Sequence, residues 1–125
     1  MKKIFVTRKL LKENEEKLKN LFNVKLNSND KIYSSNEIIE GSKDCDGILS
    51  SVTDPINSET ILHLSSSIKI IANGAVGYGN IDVKAARKKE ISVTNTPDVL
   101  TDATADIQIL LLLGASRKAY EGRIA

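Results

Sequence analysis

IKIIANGAVGYGNIDVKAARKKEISVTNTPDVLTDATAD, Ile68 to Asp106, is the stretch whose reading decides the fold. It passes from an apolar strand into a glycine-bearing turn, a short basic helix, a second strand, a polar loop and the start of a very apolar helix. Gly74, Gly77 and Gly79 follow the first of these strands directly. Glycine admits φ > 0, and without a Cβ it lets a ligand approach the main chain. A turn that bares successive backbone N–H groups offers a concavity to an anion. Two readings of the turn stand side by side: an ordinary strand–helix connection, and a contact with a small carboxylate.

Outward from this stretch the pattern repeats. Lys3 to Thr7 is a short run of β-formers and predicts the first strand. Leu10 to Phe22 predicts an amphipathic helix, with Leu11, Leu18, Leu21 and Phe22 on one face. Val24 to Leu26 is a brief second strand. Ser34-Ser35-Asn36-Glu37 has the form of a capping box before Ile38 and Ile39. Gly47 to Leu49 predicts the third strand, and Asp54-Pro55 a break. Ser58 to Leu64 is a turn or two of helix. Ile68 to Ala72 is apolar on both faces apart from Lys69, as in a central strand covered on both sides. Asp82 to Glu90 predicts a helix with Val83, Ala85 and Ala86 inward and Lys84, Arg87, Lys88 and Lys89 in solvent. Ile91 to Thr94 is the fifth strand. Thr101 or Asp102 is expected to cap a helix running to about Tyr120. Strands alternating with helices predict an α/β fold, here a flavodoxin-like doubly wound parallel sheet in the order 2-1-3-4-5. In such sheets ligands lie beyond the carboxyl ends of the strands.

Composition closes off other classes. Apolar residues make up 41% of the 125, enough for a core. A formal charge of +2 and few aromatics argue against nucleic acid or membrane as a partner. One cysteine, Cys45, and one histidine, His63, are too few for a metal site and allow no internal disulfide. Met1-Lys2-Lys3 with the short run behind it does not form a signal peptide, and Ile109 to Leu113 is far below the roughly 20 apolar residues of a membrane span. A cytoplasmic protein is the expectation.

Motifs for other chemistry fail on inspection. Gly74-Ala75-Val76-Gly77-Tyr78-Gly79 has the spacing G-x-x-G-x-G, whereas a dinucleotide fingerprint is G-x-G-x-x-G. A phospho-acceptor domain needs acidic residues after the first strand, an Asp at the end of the third and a Lys at the end of the fifth, where Arg8, Ser50 and Asn95 stand. His63 reads as a plain surface or half-buried residue. Asp98, Asp102 and Asp106 read as helix-terminal residues rather than paired catalytic carboxylates. Cys45, between Asp44 and Asp46, is expected to have a raised thiol pKa and low reactivity. The helix after Thr101 is apolar nearly all round from Ile107 to Ala115, which suits burial in a core or a position between this domain and another body.

The blocks Asn73-Gly74-Ala75-Val76-Gly77-Tyr78-Gly79-Asn80-Ile81-Asp82 and Val93-Thr94-Asn95-Thr96-Pro97-Asp98-Val99-Leu100-Thr101-Asp102-Ala103-Thr104-Ala105-Asp106 resemble the D-isomer-specific 2-hydroxyacid dehydrogenases, and among them the glyoxylate/hydroxypyruvate reductases. The KIFVTR start and Asp46-Gly47-Ile48-Leu49 fit as well. The resemblance implies a substrate-binding domain over 1–100 and an interdomain helix over 101–125 leading to a Rossmann domain outside this chain. It implies that the backbone amides around Val76 and Gly77 hold the substrate carboxylate, that Ala75 belongs to the same substrate-binding turn, and that Val52 lines the substrate pocket. Leu100 and Thr104 are implied to face the nicotinamide end of NAD or NADP, which the other domain would chiefly bind. It implies a small 2-keto or 2-hydroxy acid as substrate and a homodimer as the full-length enzyme. The family's catalytic Arg, Glu and His come later, so no catalytic residue is assigned within 1–125, and the chain alone is expected to be inactive. Gly74 and Gly79 stand where relatives commonly carry larger or acidic residues, which suggests a looser carboxylate loop. The alternative is a naturally short α/β module that binds a small anion or another protein.

Overall fold

A computed structural model describes residues 1–124. Five parallel strands form one sheet: β1 (Lys3–Val6), β2 (Asn23–Lys25), β3 (Gly47–Ser50), β4 (Ile70–Asn73) and β5 (Ser92–Thr94). Their order is β2-β1-β3-β4-β5, the order read from the sequence. The helices are α1 (Lys12–Leu21), α2 (Ser35–Ser42), α3 (Ser58–His63), α4 (Val83–Lys88), α5 (Thr101–Ser116) and α6 (Ala119–Ile124). Strand order reverses between β1 and β3. Right-handed crossovers therefore put α1 on one face of the sheet and α2, α3 and α4 on the other.

The core lies under α2, α3 and α4. Ile38, Ile48, Ile56, Ile61, Ile68 and Ile71 are all but fully buried, with Ala86 and Phe5 beside them. Phe5 stacks on Tyr33 with centroids 5.5 Å apart. The capping box of α2 forms as predicted: the Glu37 N–H donates to Ser34 Oγ, and the Ser34 N–H donates to Glu37 Oε2 at 3.0 Å.

The opposite face departs from the expectation of cover on both sides. Ile70 is 38% exposed. Leu18 and Phe22 of the α1 segment, Ile4, Ile48, Leu49, Ile70 and Ala72 line an apolar groove across this face. Alternation along β4 sends Ile71 into the core under α2, α3 and α4 and Ile70 into the groove on the α1 face, where α1 does not cover it. Helix α1 accordingly buries no residue fully, and Leu11 and Leu21, expected on its inner face, are exposed.

Three further expectations need correction. The long last helix is interrupted after Ser116, where Lys118 adopts φ 51° and α6 begins. Neither Thr101 nor Asp102 caps α5: its N-cap is Leu100, with no side-chain cap bond, and Asp98 just before it turns through φ 65°. Thr101 is already the first helical residue, so its hydroxyl sits inside the first turn rather than ahead of it. Lys89 is not simply solvated. Its ammonium donates to the carbonyls of Ile61, Leu62 and Leu64 at 2.8–3.0 Å and closes the C-terminus of α3.

Candidate carboxylate site

The turn after β4 sits at the carboxyl end of the sheet, where the Asn73 side chain is buried beneath it. Three successive carbonyls of the turn are held from within the protein. The Ala75 carbonyl accepts from the Thr96 N–H at 2.9 Å. The Val76 carbonyl accepts from Asn95 Nδ2 at 2.8 Å, and the Gly77 carbonyl from Asn73 Nδ2 at 2.9 Å. The N–H groups of Val76, Gly77 and Tyr78 donate to nothing among the described residues. Bare N–H groups on a turn whose carbonyls are all engaged form an anion-binding concavity.

The glycines serve this turn differently from the expectation. None has φ > 0, so left-handed backbone is not their purpose. A Cβ built on Gly77 or Gly79 would meet nothing within 4 Å, and one on Gly74 would come 3.4 Å from the Ser50 carbonyl. Gly77 and Gly79 thus leave open space around the free N–H groups. The loop is not slack either, since its carbonyls are pinned one after another.

Behind the turn a buried polar network reaches the loop that carries Val52. Ser50 Oγ donates to Asn73 Oδ1 at 3.0 Å, and Asn73 Nδ2 also donates to Asn80 Oδ1 at 3.3 Å. Asn80 Nδ2 donates to the carbonyls of Ser51 and Asp54 at 2.9 and 3.1 Å. Asp54 is fully buried; its Oδ2 accepts from Thr7 Oγ1 at 2.5 Å and from the Ser51 N–H at 2.7 Å, while its Oδ1 has no partner. Arg8 fastens the outside of the same loop, with Nη1 on Thr53 Oγ1 at 3.0 Å and Nε and Nη2 on the Asp30 carboxylate. The Arg8 guanidinium and the Lys9 N–H lower the Asp30 carboxyl to about 2.

Val76, Leu100, Thr101, Thr104, Ala105 and Gln108 line a cleft of ≈ 430 Å³ between the turn and the first turns of α5. The sequence reading placed Val76 with the substrate and Leu100 and Thr104 with the cofactor, and these three share one cleft. Val52 does not line it: it stands 56% exposed on the neighbouring loop, and Ala75 lies half-buried at the foot of the turn. Asn73 and Asn95 stand at the carboxyl ends of β4 and β5, where a ligand is expected from the sequence, and Asn80 near the start of α4, but the sequence alone does not show that their side chains hold the turn.

The remaining candidates are plain. His63 is exposed, and its Nδ1 donates to the Glu59 carbonyl. Burial, more than Asp44, raises the Cys45 thiol pKa, and the residue is almost wholly enclosed. The groove of ≈ 570 Å³ between α2 and α3, which His63 also lines, has both helix N-termini already capped, by Ser34 and by Asn57. No cluster of His, Cys, Asp or Glu among the described residues suits a metal ion. No helix among them is long and apolar enough to cross a membrane.

Comparison with known proteins agrees with this geometry. The family model for the catalytic domain of D-isomer specific 2-hydroxyacid dehydrogenases matches residues 4–123. A glyoxylate reductase of Korarchaeum cryptofilum is 43% identical over 95% of this chain and 36% of its own length. Among solved structures, a Polaromonas protein assigned as a D-isomer specific 2-hydroxyacid dehydrogenase, NAD-binding, superposes with a TM-score of 0.87 at 35% identity, over 98% of this chain and 38% of that one. A Paecilomyes thermophila glyoxylate reductase gives 0.78 at 28%, over 95% and 39%. The chain thus spans little more than a third of the relatives it matches. With the parallel sheet, the bare-amide turn and this match in agreement, the chain belongs to the D-isomer specific 2-hydroxyacid dehydrogenase family, in the part that forms the catalytic domain.

Proposed function

We propose that this chain is the substrate-holding part of an NAD(P)H-dependent reductase of a small 2-keto acid, glyoxylate or hydroxypyruvate. The observation that carries the reading is the turn at Val76 to Tyr78, whose carbonyls are engaged and whose N–H groups are free. Val76 and Gly77 would bind the substrate carboxylate, with Ala75 shaping the foot of the turn and Val52 closing the pocket from the neighbouring loop. Residues 1–100 would be the substrate domain and the helix from Thr101 the link to a cofactor domain. The cleft at Leu100 and Thr104 suits the flat nicotinamide end of NAD or NADP. No glycine-rich phosphate turn of the G-x-G-x-x-G kind occurs in the sequence, so the diphosphate would be held elsewhere. The bound nicotinamide would supply the hydride. This chain's own service is to fix the keto acid by its carboxylate and keep its carbonyl in one orientation, which accounts for much of the advantage in a bimolecular step. The full-length enzyme would be a cytoplasmic homodimer.

A chimera provides the test. This chain replaces the matching segment of the Korarchaeum glyoxylate reductase, and oxidation of NADH and NADPH is followed with glyoxylate and with hydroxypyruvate. Turnover by the chimera, and none by residues 1–125 alone, is expected. A folded, cofactor-binding chimera that reduces neither keto acid overturns the reading.

A further inference from the structure

In a trans peptide the C=O of one residue and the N–H of the next lie in one plane and point opposite ways. No peptide bond among the described residues is cis. Whatever grips a carbonyl of the Ala75–Gly77 turn therefore aims the following N–H in the opposite direction. The Thr96 N–H grips the Ala75 carbonyl and so aims Val76 N–H. Asn95 Nδ2 grips the Val76 carbonyl and aims Gly77 N–H. Asn73 Nδ2 grips the Gly77 carbonyl and aims Tyr78 N–H.

We propose that Asn95 and Asn73 are positioning residues, which orient the Gly77 and Tyr78 N–H groups toward a bound carboxylate and make Tyr78 N–H a third donor beside those of Val76 and Gly77. The proposal rests on the carboxylate reading of this turn. The two asparagines differ in how firmly they are set. Asn73 is buried, and its amide is oriented by Ser50 Oγ on one side and by Asn80 Oδ1 and the Gly77 carbonyl on the other. It links the turn to the Val52 loop through Asn80. Asn95 makes one bond, to the Val76 carbonyl, from a half-exposed position at the end of β5. If Asn95 is removed, the Val76–Gly77 peptide is free to rotate and present its carbonyl to the anion. If Asn73 is removed, the Ser50 hydroxyl and the Asn80 amide also lose a buried partner.

Asn95 is thus the residue to change. The 125-residue chain labelled with 15N and 13C is titrated with glycolate, with glycolamide as the control lacking a carboxylate. The unsubstituted chain should show downfield shifts of the Val76, Gly77 and Tyr78 amide protons with glycolate only. Asn95→Ala should weaken glycolate about tenfold, the worth of one hydrogen bond to a charged group. It should abolish the Gly77 shift, spare the Val76 shift, change the Val76 carbonyl 13C resonance and leave the melting temperature unchanged. Asn95→Asp keeps the shape without the donor and should lose at least as much. Substituted chains that bind glycolate with full affinity, or keep the Gly77 shift, overturn the positioning role while the carboxylate site stands. An unsubstituted chain without shifts at any of the three amides overturns both.

Discussion

At the scale of single residues, the glycines show how differently one residue type is used. Gly41 lies against Phe5: a Cβ there would come 2.5 Å from Phe5 Cζ, and the ring is locked in its stack with Tyr33. Gly41→Ala should cost about 1–3 kcal/mol through overpacking, read as a lower denaturant midpoint. Gly77→Ala meets open space at a φ that any residue accepts, so stability should hold or rise by about 0.4–1 kcal/mol while glycolate binding weakens. Asp54 holds the Val52 loop through Thr7 and the Ser51 N–H. Asp54→Ala takes the acceptor from the part-buried Ser51 N–H and leaves the buried Thr7 hydroxyl only the Leu49 carbonyl at 3.2 Å, and should cost about 1–2 kcal/mol in equilibrium unfolding.

Helix ends carry the predictions at the scale of elements. Lys89 supplies three hydrogen bonds to the open carbonyls at the end of α3. Lys89→Met keeps most of the stem and removes the cation, and should cost about 1–2 kcal/mol with little change in the sheet. At the start of α2, Lys31 and then the Ser34 groups lower the Glu37 carboxyl from 4.5 to about 2; Asp30 is lowered from 3.8 to about 2 by Arg8 and Lys9. A depressed carboxyl stabilises the fold above its unfolded pKa, and the contribution is lost as pH falls through the folded one. Stability should therefore drop as pH falls from about 4.5 to about 2. Glu37→Gln should flatten that part of the curve in pH-dependent thermal melts. Both pairs are exposed, so added salt should shrink the effect.

For the whole molecule, the outstanding feature is apolar surface without cover. Ile107, Ile109, Leu110, Leu111, Leu112 and Leu113 of α5 are each more than half exposed, and the groove beside Ile70 is open. A continuous patch of this kind drives association. The 125-residue chain should sediment as oligomers and enhance the fluorescence of an apolar dye. Leu110→Lys with Leu112→Lys should reduce both. The prediction fails if the unsubstituted chain sediments as a monomer and leaves the dye dark.

Local rules sufficed for much of this protein. Alternating short apolar strands and amphipathic stretches determined a parallel sheet, and five strands in a chain of this length its flavodoxin-like order. Ser34 and Glu37 determined the start of α2, because a capping box is satisfied by atoms three residues apart. The glycine turn by itself left open an ordinary strand–helix connection and a carboxylate contact, and the family resemblance favoured the second. What the sequence left open depends on partners distant in the chain. Lys89 reads as one more solvated cation until α3 places three carbonyls around it. Asn95 and Thr96 lie about twenty residues past the turn they hold, and only the pairing of β5 with β4 brings them there. Which N–H groups stay free is decided by which carbonyls are taken, and that is a property of the packed sheet rather than of the turn.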